Sequence, residues 1–289
     1  MEKTINLLYT AGYIDGDGCF HLSYSNKKLR TLLAINSTNP ILISDLINTF
    51  KGTMRGYSRK NKNHKSIYEF RKIGKEACEF AKNLFPYLIQ RKKECELFIS
   101  FFTENFRNEK LEIIQKLKFQ HSQADLISIE DIQKLKLIKS LKPTEKDFIY
   151  MAGFIDAECN FTISKYKPKN KPNFVYKTIL QFNDTKSPMF YWIKARFGGF
   201  CCFYKRSEGL KNQITWRLTG KSLYPFLKKV CPYLRFKKPV CEKLIEFHQT
   251  ILDNGGARHT KKFRDAYSSI IKIRESIIQQ VHNLNHKGL

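Results

Sequence analysis

Long apolar runs are missing from this chain. None reaches the ~18–20 residues that a bilayer-spanning helix needs. The opening Met-Glu-Lys-Thr-Ile-Asn has no charged-then-apolar leader, so a secreted protein is not expected. Cysteine occurs eight times, at Cys19, Cys78, Cys95, Cys159, Cys201, Cys202, Cys231 and Cys241, yet no Cys-x-x-Cys pair is present. No cysteine–histidine spacing fits a zinc site either, so reduced, buried thiols are expected. Acidic residues are scarce, 26 against 52 lysines and arginines, a net charge of +26. The excess runs through both halves and is not confined to a tail. A polyanionic partner follows, and nucleic acid fits better than a membrane because no basic amphipathic helix is flanked by lipid anchors. With 289 residues, 42% of them hydrophobic, the chain is long enough for two globular units. Its abundant Lys, Asn, Ile and Phe have A/T-rich codons, from which an intracellular, organellar source (chloroplast or mitochondrion) is expected.

What is present is a repeat. Residues 10–18, Thr-Ala-Gly-Tyr-Ile-Asp-Gly-Asp-Gly, return at 151–159 as Met-Ala-Gly-Phe-Ile-Asp-Ala-Glu-Cys, 141 positions later. Strand-period alternation follows each copy, over residues 19–25 and 29–35 and over 160–166 and 174–182, with a turn at Asn26-Lys27-Lys28 in the first. Polar corners come next, at Asn36 to Pro40 and at Asn183 to Pro188. Helices are expected at 41–50 and 188–197, ended by Gly52 and by Gly198-Gly199. Two further strands follow in each half, at 53–59 with 66–72 and at 200–206 with 213–218. Pro86-Tyr87-Leu88 then answers to Pro232-Tyr233-Leu234 at an offset of 146. Offsets that drift so little mark a duplicated unit. The expected fold class is α+β: two pseudo-symmetric α-β-β-α-β-β-α units, each an antiparallel four-stranded sheet packed on helices. The units are expected over residues 1–120 and 144–289, with a linker at 121–143, Thr144 capping the second unit and one or two helices beyond residue 258.

Each repeated segment reads as an apolar helix with small residues, Ala11-Gly12 and Ala152-Gly153, that permit close approach of a partner helix. Side by side, two such helices bring together Asp15, Asp17, Asp156 and Glu158. A helix C-terminus disfavours carboxylates, and neighbouring carboxylates repel. A divalent cation between them removes both problems, and hard oxygen donors favour magnesium or calcium over zinc. Beside a basic surface, that arrangement suits phosphodiester hydrolysis.

The paired segments resemble the signature of LAGLIDADG homing endonucleases in the form that carries both copies in one chain. The resemblance covers about residues 5–100 and 145–250. It implies a two-helix interface between the units and a site-specific double-strand DNA endonuclease leaving short 3′ overhangs. It further implies metal at Asp17 and Glu158, with the preceding Gly16 and Ala157, while Asp15 and Asp156 cap backbone. Arg91 and Lys237 are then expected near the scissile phosphates, and Ser37 and Asp184 where relatives position water. The implied cofactor is Mg²⁺, with Ca²⁺ supporting binding but not cleavage. The implied partner is double-stranded DNA, bound by a monomer. An RNA-binding intron maturase on the same scaffold and a non-cleaving DNA-binding regulator are the alternative readings. Two departures, Glu158 for aspartate and Cys159 for glycine, are expected to make the two helix exits differ, because Cys159 adopts positive φ less easily than Gly18.

Alternation nominates the DNA-facing side chains. They are His21, Ser23, Ser25, Arg30 and Leu32 in the first half and Thr162, Ser164, Tyr166, Lys177, Ile179 and Gln181 in the second. Arg55, Arg59, Arg71, Lys205 and Arg217 are candidates for guanine edges or phosphates. The two faces differ, so an asymmetric target is expected. Tyr57, Phe70 and Trp216 are expected in core or strand positions, and His64, His248 and His259 on the solvated surface.

Overall fold

Two strand-rich units meet across a pair of helices. The computed structural model describes residues 5–57, 66–122, 126–169, 174–252 and 261–287. The first unit runs α1 (Leu7–Asp17), β1 (Gly18–Ser25), β2 (Lys28–Ser37), α2 (Pro40–Phe50), β3 (Thr53–Tyr57), β4 (Ile67–Ile73) and α3 (Gly74–Leu84). Helices α4 (Lys92–Thr103), α5 (Arg107–Ser122) and α6 (Ile129–Lys136) follow. The second unit repeats the order as α7 (Glu145–Glu158), β5 (Asn160–Tyr166), β6 (Val175–Asp184), α8 (Pro188–Phe197), β7 (Phe200–Tyr204), β8 (Gln213–Thr219) and α9 (Leu223–Val230). Helices α10 (Lys238–Leu252) and α11 (Lys261–Lys287) close the chain. Both sheets are antiparallel, in the spatial orders β1-β2-β4-β3 and β5-β6-β8-β7. The α+β class and the duplicated unit expected from the sequence are therefore both present. Among the described residues no helix is long and apolar enough to cross a membrane.

Local chemistry explains the element boundaries. Asn6 starts α1 by accepting from the Tyr9 N–H at 2.9 Å. Thr144 and Asp147 start α7 with a reciprocal capping box, as the sequence suggested for Thr144. The first hairpin is tighter than expected: Ser25 pairs with Lys28, leaving only Asn26 and Lys27 in the turn, at φ of 51° and 60°. Two positive φ values in a two-residue loop match the twist of the flanking strands. Strand β7 stops at Tyr204, short of the expected residue 206, so Lys205 lies beyond the sheet in an exposed segment. Arg59, His64, His259 and the Asp253 to Gly256 cluster lie outside the described residues.

The inward half of each alternation forms the core. Phe20, Leu33, Ile35 and Phe70 are fully buried in the first unit, and Phe161, Phe182 and Trp216 in the second. Phe182 stacks on Phe190 at 4.7 Å and meets Phe154 edge-on at 5.0 Å. Tyr57 is half-buried on its strand under the Arg55 guanidinium, 4.7 Å from the ring centre.

Two expectations are corrected here. His248 is buried, its Nε2 2.6 Å from Thr178 Oγ1. Thr178 is an inward-facing polar residue of β6, and it needs the hydrogen-bond partner that α10 supplies. The helix exits at Gly18 and Cys159 do not diverge: φ/ψ is −86°/164° at one and −83°/152° at the other. Both are extended, a conformation open to any residue, so no positive φ is called for.

The helices α1 and α7 touch backbone to backbone. A Cβ on Gly12 would lie 2.0 Å from the Tyr150 carbonyl oxygen, and one on Gly153 1.9 Å from that of Tyr9. Ala11 and Ala152 flank the contact and are fully buried. The stretch expected as a linker docks on the second unit. Ile127 donates to the Thr185 carbonyl at 2.8 Å, Leu141 to that of Ala195 at 2.7 Å, and Tyr191 to the Asp131 carboxylate at 2.5 Å.

Candidate functional site

The glycine contact fixes where the acidic helix ends arrive. Asp15 and Asp156 turn inward. Asp15 accepts from the Ile89 and Arg91 N–H groups, each at 2.7 Å, and from the Tyr150 hydroxyl at 2.5 Å. Asp156 accepts from the Arg235, Phe236 and Lys237 N–H groups at 2.8, 3.1 and 2.7 Å, and from the Tyr9 hydroxyl at 2.7 Å. Each carboxylate thus secures the turn after its own unit's last sheet helix and holds the opposite helix through a tyrosine. Burial raises both carboxyls above their ordinary value, against the pull of these hydrogen bonds.

Asp17 and Glu158 turn outward, each into a cavity completed by the other unit. The first cavity, about 260 Å³, brings Asp17 together with Asn36 and Ser37 of its own unit and Ala157 and Lys237 of the other. The second, about 210 Å³, brings Glu158 together with Asn183 and Asp184 of its own unit and Gly16 and Arg91 of the other. The six catalytic candidates and the two glycine/alanine positions named from sequence therefore gather in two crossed sets. Both acids open onto solvent, but protein crowds them closely enough for desolvation to dominate. Desolvation lifts Asp17 to about 6 against the opposing charges of Lys237 and Arg91. Glu158 is pushed up to about 7 by desolvation and then by the charges of Asp17 and Asp184.

The basic residues answer the helix-end problem. Lys237 Nζ donates to the Ile155 and Cys159 carbonyls at 2.8 and 2.6 Å, capping α7. Arg91 donates to the Ile14 and Gly16 carbonyls at 2.9 and 3.1 Å, capping α1. A cation on the last carbonyls offsets the partial negative charge that disfavours the acids there. Burial lowers the Lys237 ammonium below its ordinary value. Ser37 and Asp184 end β2 and β6. Ser37 Oγ accepts from the Asn39 N–H at 3.1 Å. Asp184 accepts from the Thr185 and Lys186 N–H groups at 2.5 and 3.2 Å, and from the Gln90 side chain of the first unit.

At and behind the Glu158 cavity, Gln90, Glu94, His121 and Lys186 were not singled out from the sequence. One signal was available. Glu94 sits where the repeat, at offset 146, places Val240 in the second unit, and a charge opposite a buried aliphatic marks a local departure from the pseudo-symmetry.

Among the described residues no cluster of three or more His, Cys, Asp or Glu side chains is placed to hold a metal. Asp17 is close enough to raise the proton affinity of Glu158, and both present hard oxygens. That set fits Mg²⁺, which takes one or two carboxylates and leaves its other positions to water and substrate phosphates. A pH effect follows for the protein in chelator. Both acids have folded pKa values above their ordinary ones, so the fold favours their protonated forms. The stability they contribute is present at low pH and is lost as pH rises through about 6 and about 7. The double variant Asp17→Asn/Glu158→Gln should match the parent's melting temperature near pH ~4 and exceed it above pH ~7. Thermal melts across that range check this, and a gap that closes as pH rises contradicts it.

The strand register sorts the nominated DNA contacts. His21 pairs with Leu32 and Ser23 with Arg30, and Leu32 pairs with Ile73 while Ala34 pairs with Arg71. Arg55 pairs with Glu69, so all of these residues share the outward face with Ser25. Thr162 pairs with Ile179, Ser164 with Lys177 and Gln181 with Arg217, and with Tyr166 these share the outward face of the second sheet. Arg71 is engaged on its face by Glu69, 2.8 Å away. Asn36 and Asn183 belong to the same outward faces and also line the cavities, so each face runs into a cavity at the seam.

Residues 151–252 match the family model described as LAGLIDADG endonuclease. Among solved structures, the fold is similar to the LAGLIDADG meganuclease I-AabMI bound to uncleaved DNA, at 20% identity and a TM-score of 0.65 over 94% of this chain and 98% of that one. It is also similar to the I-SmaMI LAGLIDADG homing endonuclease bound to cleaved DNA, at 16% identity and a TM-score of 0.66 over 96% and 97% of the two chains. I-SmaMI bound to an uncleaved DNA target in the presence of calcium ions gives 16% identity and a TM-score of 0.66 over 95% and 98%. Comparison with curated proteins gives no significant match. Over nearly its full length the chain shares the fold of these LAGLIDADG meganuclease structures, and its residues 151–252 match the LAGLIDADG endonuclease family model.

Proposed function

We propose that this protein is a site-specific double-strand DNA endonuclease that hydrolyses one phosphodiester bond on each strand of a long asymmetric target. The observation that carries the reading is the crossed pair of cavities. Each places an acid of one unit beside a cation of the other, and each stands where an outward sheet face ends. A monomer supplies both, with its units over residues 1–120 and 144–289. The outward faces take the major groove, positioned by Arg30, Arg55, Lys177 and Arg217. Their dissimilar residues select an asymmetric sequence. The similar endonuclease structures with DNA support this docking.

At each cavity the scissile phosphate lies against the acid at the helix end. Asp17 and Glu158, with the Gly16 and Ala157 backbone, would hold Mg²⁺, which when bound would polarise the phosphate and ease ionisation of water. Asp184 accepts a hydrogen bond from the attacking water in one cavity and Ser37 Oγ does so in the other. Lys237 and Arg91 offset charge that develops on the phosphoryl and leaving oxygens. Short 3′ overhangs are the product, and Ca²⁺ permits binding without cutting.

The test is to incubate the protein with a random double-stranded library and Mg²⁺, then sequence the ends. Enrichment of one asymmetric site with staggered ends is expected. In Ca²⁺ the same site is expected to be bound and left intact. A library without enriched cleavage in Mg²⁺ sinks the proposal, and selection of perfect palindromes by a monomer sinks the asymmetric docking.

A further inference from the structure

The two cavities are not equivalent. Behind the Glu158 cavity a carboxylate, Glu94 of α4, is buried with its side chain only 1% exposed. Two cations and a histidine surround it. Arg91 Nη1 lies 3.0 Å from one carboxylate oxygen and His121 Nε2 3.4 Å from the same oxygen. Lys186 Nζ lies 2.9 Å from the other and also donates to the Gln120 carbonyl at 2.9 Å. Burial alone would raise this carboxyl, but Arg91, Lys186 and His121 together hold it below its ordinary value, as an anion. Arg91, His121 and Lys186 also line the Glu158 cavity.

Among the described residues the Asp17 cavity has no such cluster. The repeat places Val240 at the position of Glu94 and Asn39 at that of Lys186, and Val240 is buried among apolar groups. The difference follows from connectivity. Helix α5 leaves the first unit past the Glu158 side of the seam and brings Gln120 and His121 there. Lys186 approaches from the second unit, so the cluster spans both.

We propose that Glu94 is a positioning residue for one of the two cutting sites only: it holds Arg91 and Lys186 at the rim of the Glu158 cavity and thereby sets the rate at which one DNA strand, and not the other, is cut. The inference rests on the endonuclease reading above. Without the anion, Arg91 and Lys186 repel one another and leave the places where a phosphate would meet them. Misplacement by about 1 Å costs on the order of 10²-fold in rate. The Asp17 cavity draws its cation from Lys237, held on the Ile155 and Cys159 carbonyls, and Arg91 reaches it only through the α1 carbonyls, so its strand is the less affected.

The experiment uses the full chain and a supercoiled plasmid bearing the selected target, with each strand's cut followed separately on denaturing gels. The variant Glu94→Gln should slow one strand ~10- to 100-fold and leave the other within about twofold of the parent, so that nicked circles accumulate. Lys186→Gln and His121→Gln, at less buried positions, should bias the same strand in the same direction. They decide the matter if Glu94→Gln does not fold. A structural role alone would slow both strands together. Equal slowing of both strands, or a bias that switches strand between variants, overturns the inference. Absence of any cutting by the parent protein overturns the endonuclease reading and this inference with it.

Discussion

Asp17→Asn and Glu158→Gln each abolish double-strand cleavage, a loss of about 10³-fold or more, and leave affinity for the target in Ca²⁺ within a few-fold of the parent. Each replacement keeps the shape of the side chain and removes one charge. The site is where charge matters. Desolvation has already lifted the two acids to about 6 and about 7, and each faces a cation of the other unit. An amide in either place offers a cation half the donor set and no charge. Neither change touches the sheet faces, so binding survives. The neighbouring acids behave differently. Asp15→Asn and Asp156→Asn replace an acceptor oxygen by an NH₂ group among several N–H donors, and the resulting unsatisfied contacts destabilise the fold. Strand-resolved cleavage beside binding and unfolding curves separates the pairs. A normally cutting Glu158→Gln protein would remove that residue from the site.

The physics of each feature decides how legible it is in the sequence. Alternation over 19–25 and 160–166 is a local signal, and it placed Phe20, His21, Phe161 and Thr162 on the faces they occupy. The repeat made a second signal, because a residue could be read against its counterpart. The family resemblance implied the roles of Ser37 and Asp184 and of Arg91 and Lys237, and the repeat supplied each with its counterpart. What pairs cannot show is which unit's residue meets which acid. The crossing of Arg91 to Glu158 and of Lys237 to Asp17 arises from contact across the seam, which has no sequence periodicity. Glu94 and Lys186 were hidden for the same reason, since they lie 92 residues apart and belong to different units. His248 was misplaced because polarity was read alone. Its partner Thr178 is inward on β6, and only the register reveals that. The Cys159 expectation failed because a glycine was credited with a conformational role when Gly18 has ordinary extended angles.

Gly12 and Gly153 do answer to a physical need, and it is space. Gly153→Ala should destabilise the protein by about 3 kcal/mol or more, at the upper end of what overpacking costs. The added Cβ would sit 1.9 Å from the Tyr9 carbonyl oxygen, 2.8 Å from its carbon and 2.9 Å from the Tyr13 nitrogen, all backbone atoms. A methyl group has no rotamer to escape into, so the helices must part by more than 1 Å to restore ordinary contact distances of ~3.5 Å. Parting them loosens what the seam holds, including the Tyr9 bond to Asp156 and the Tyr150 bond to Asp15. It also moves Asp17 and Glu158 relative to one another. The residual folded protein is therefore expected to cut both strands more slowly, on the order of 10²-fold, in contrast to the one-strand effect expected at Glu94. Gly56→Ala is the control: its Cβ would meet only a Tyr68 ring carbon at 3.9 Å, and a change within ~0.5 kcal/mol is expected. Urea unfolding of the two variants beside the parent measures the difference. A Gly153→Ala protein with the parent's midpoint would mean that the helices do not pack backbone to backbone, and the crossed cavities would lose the contact that aligns them.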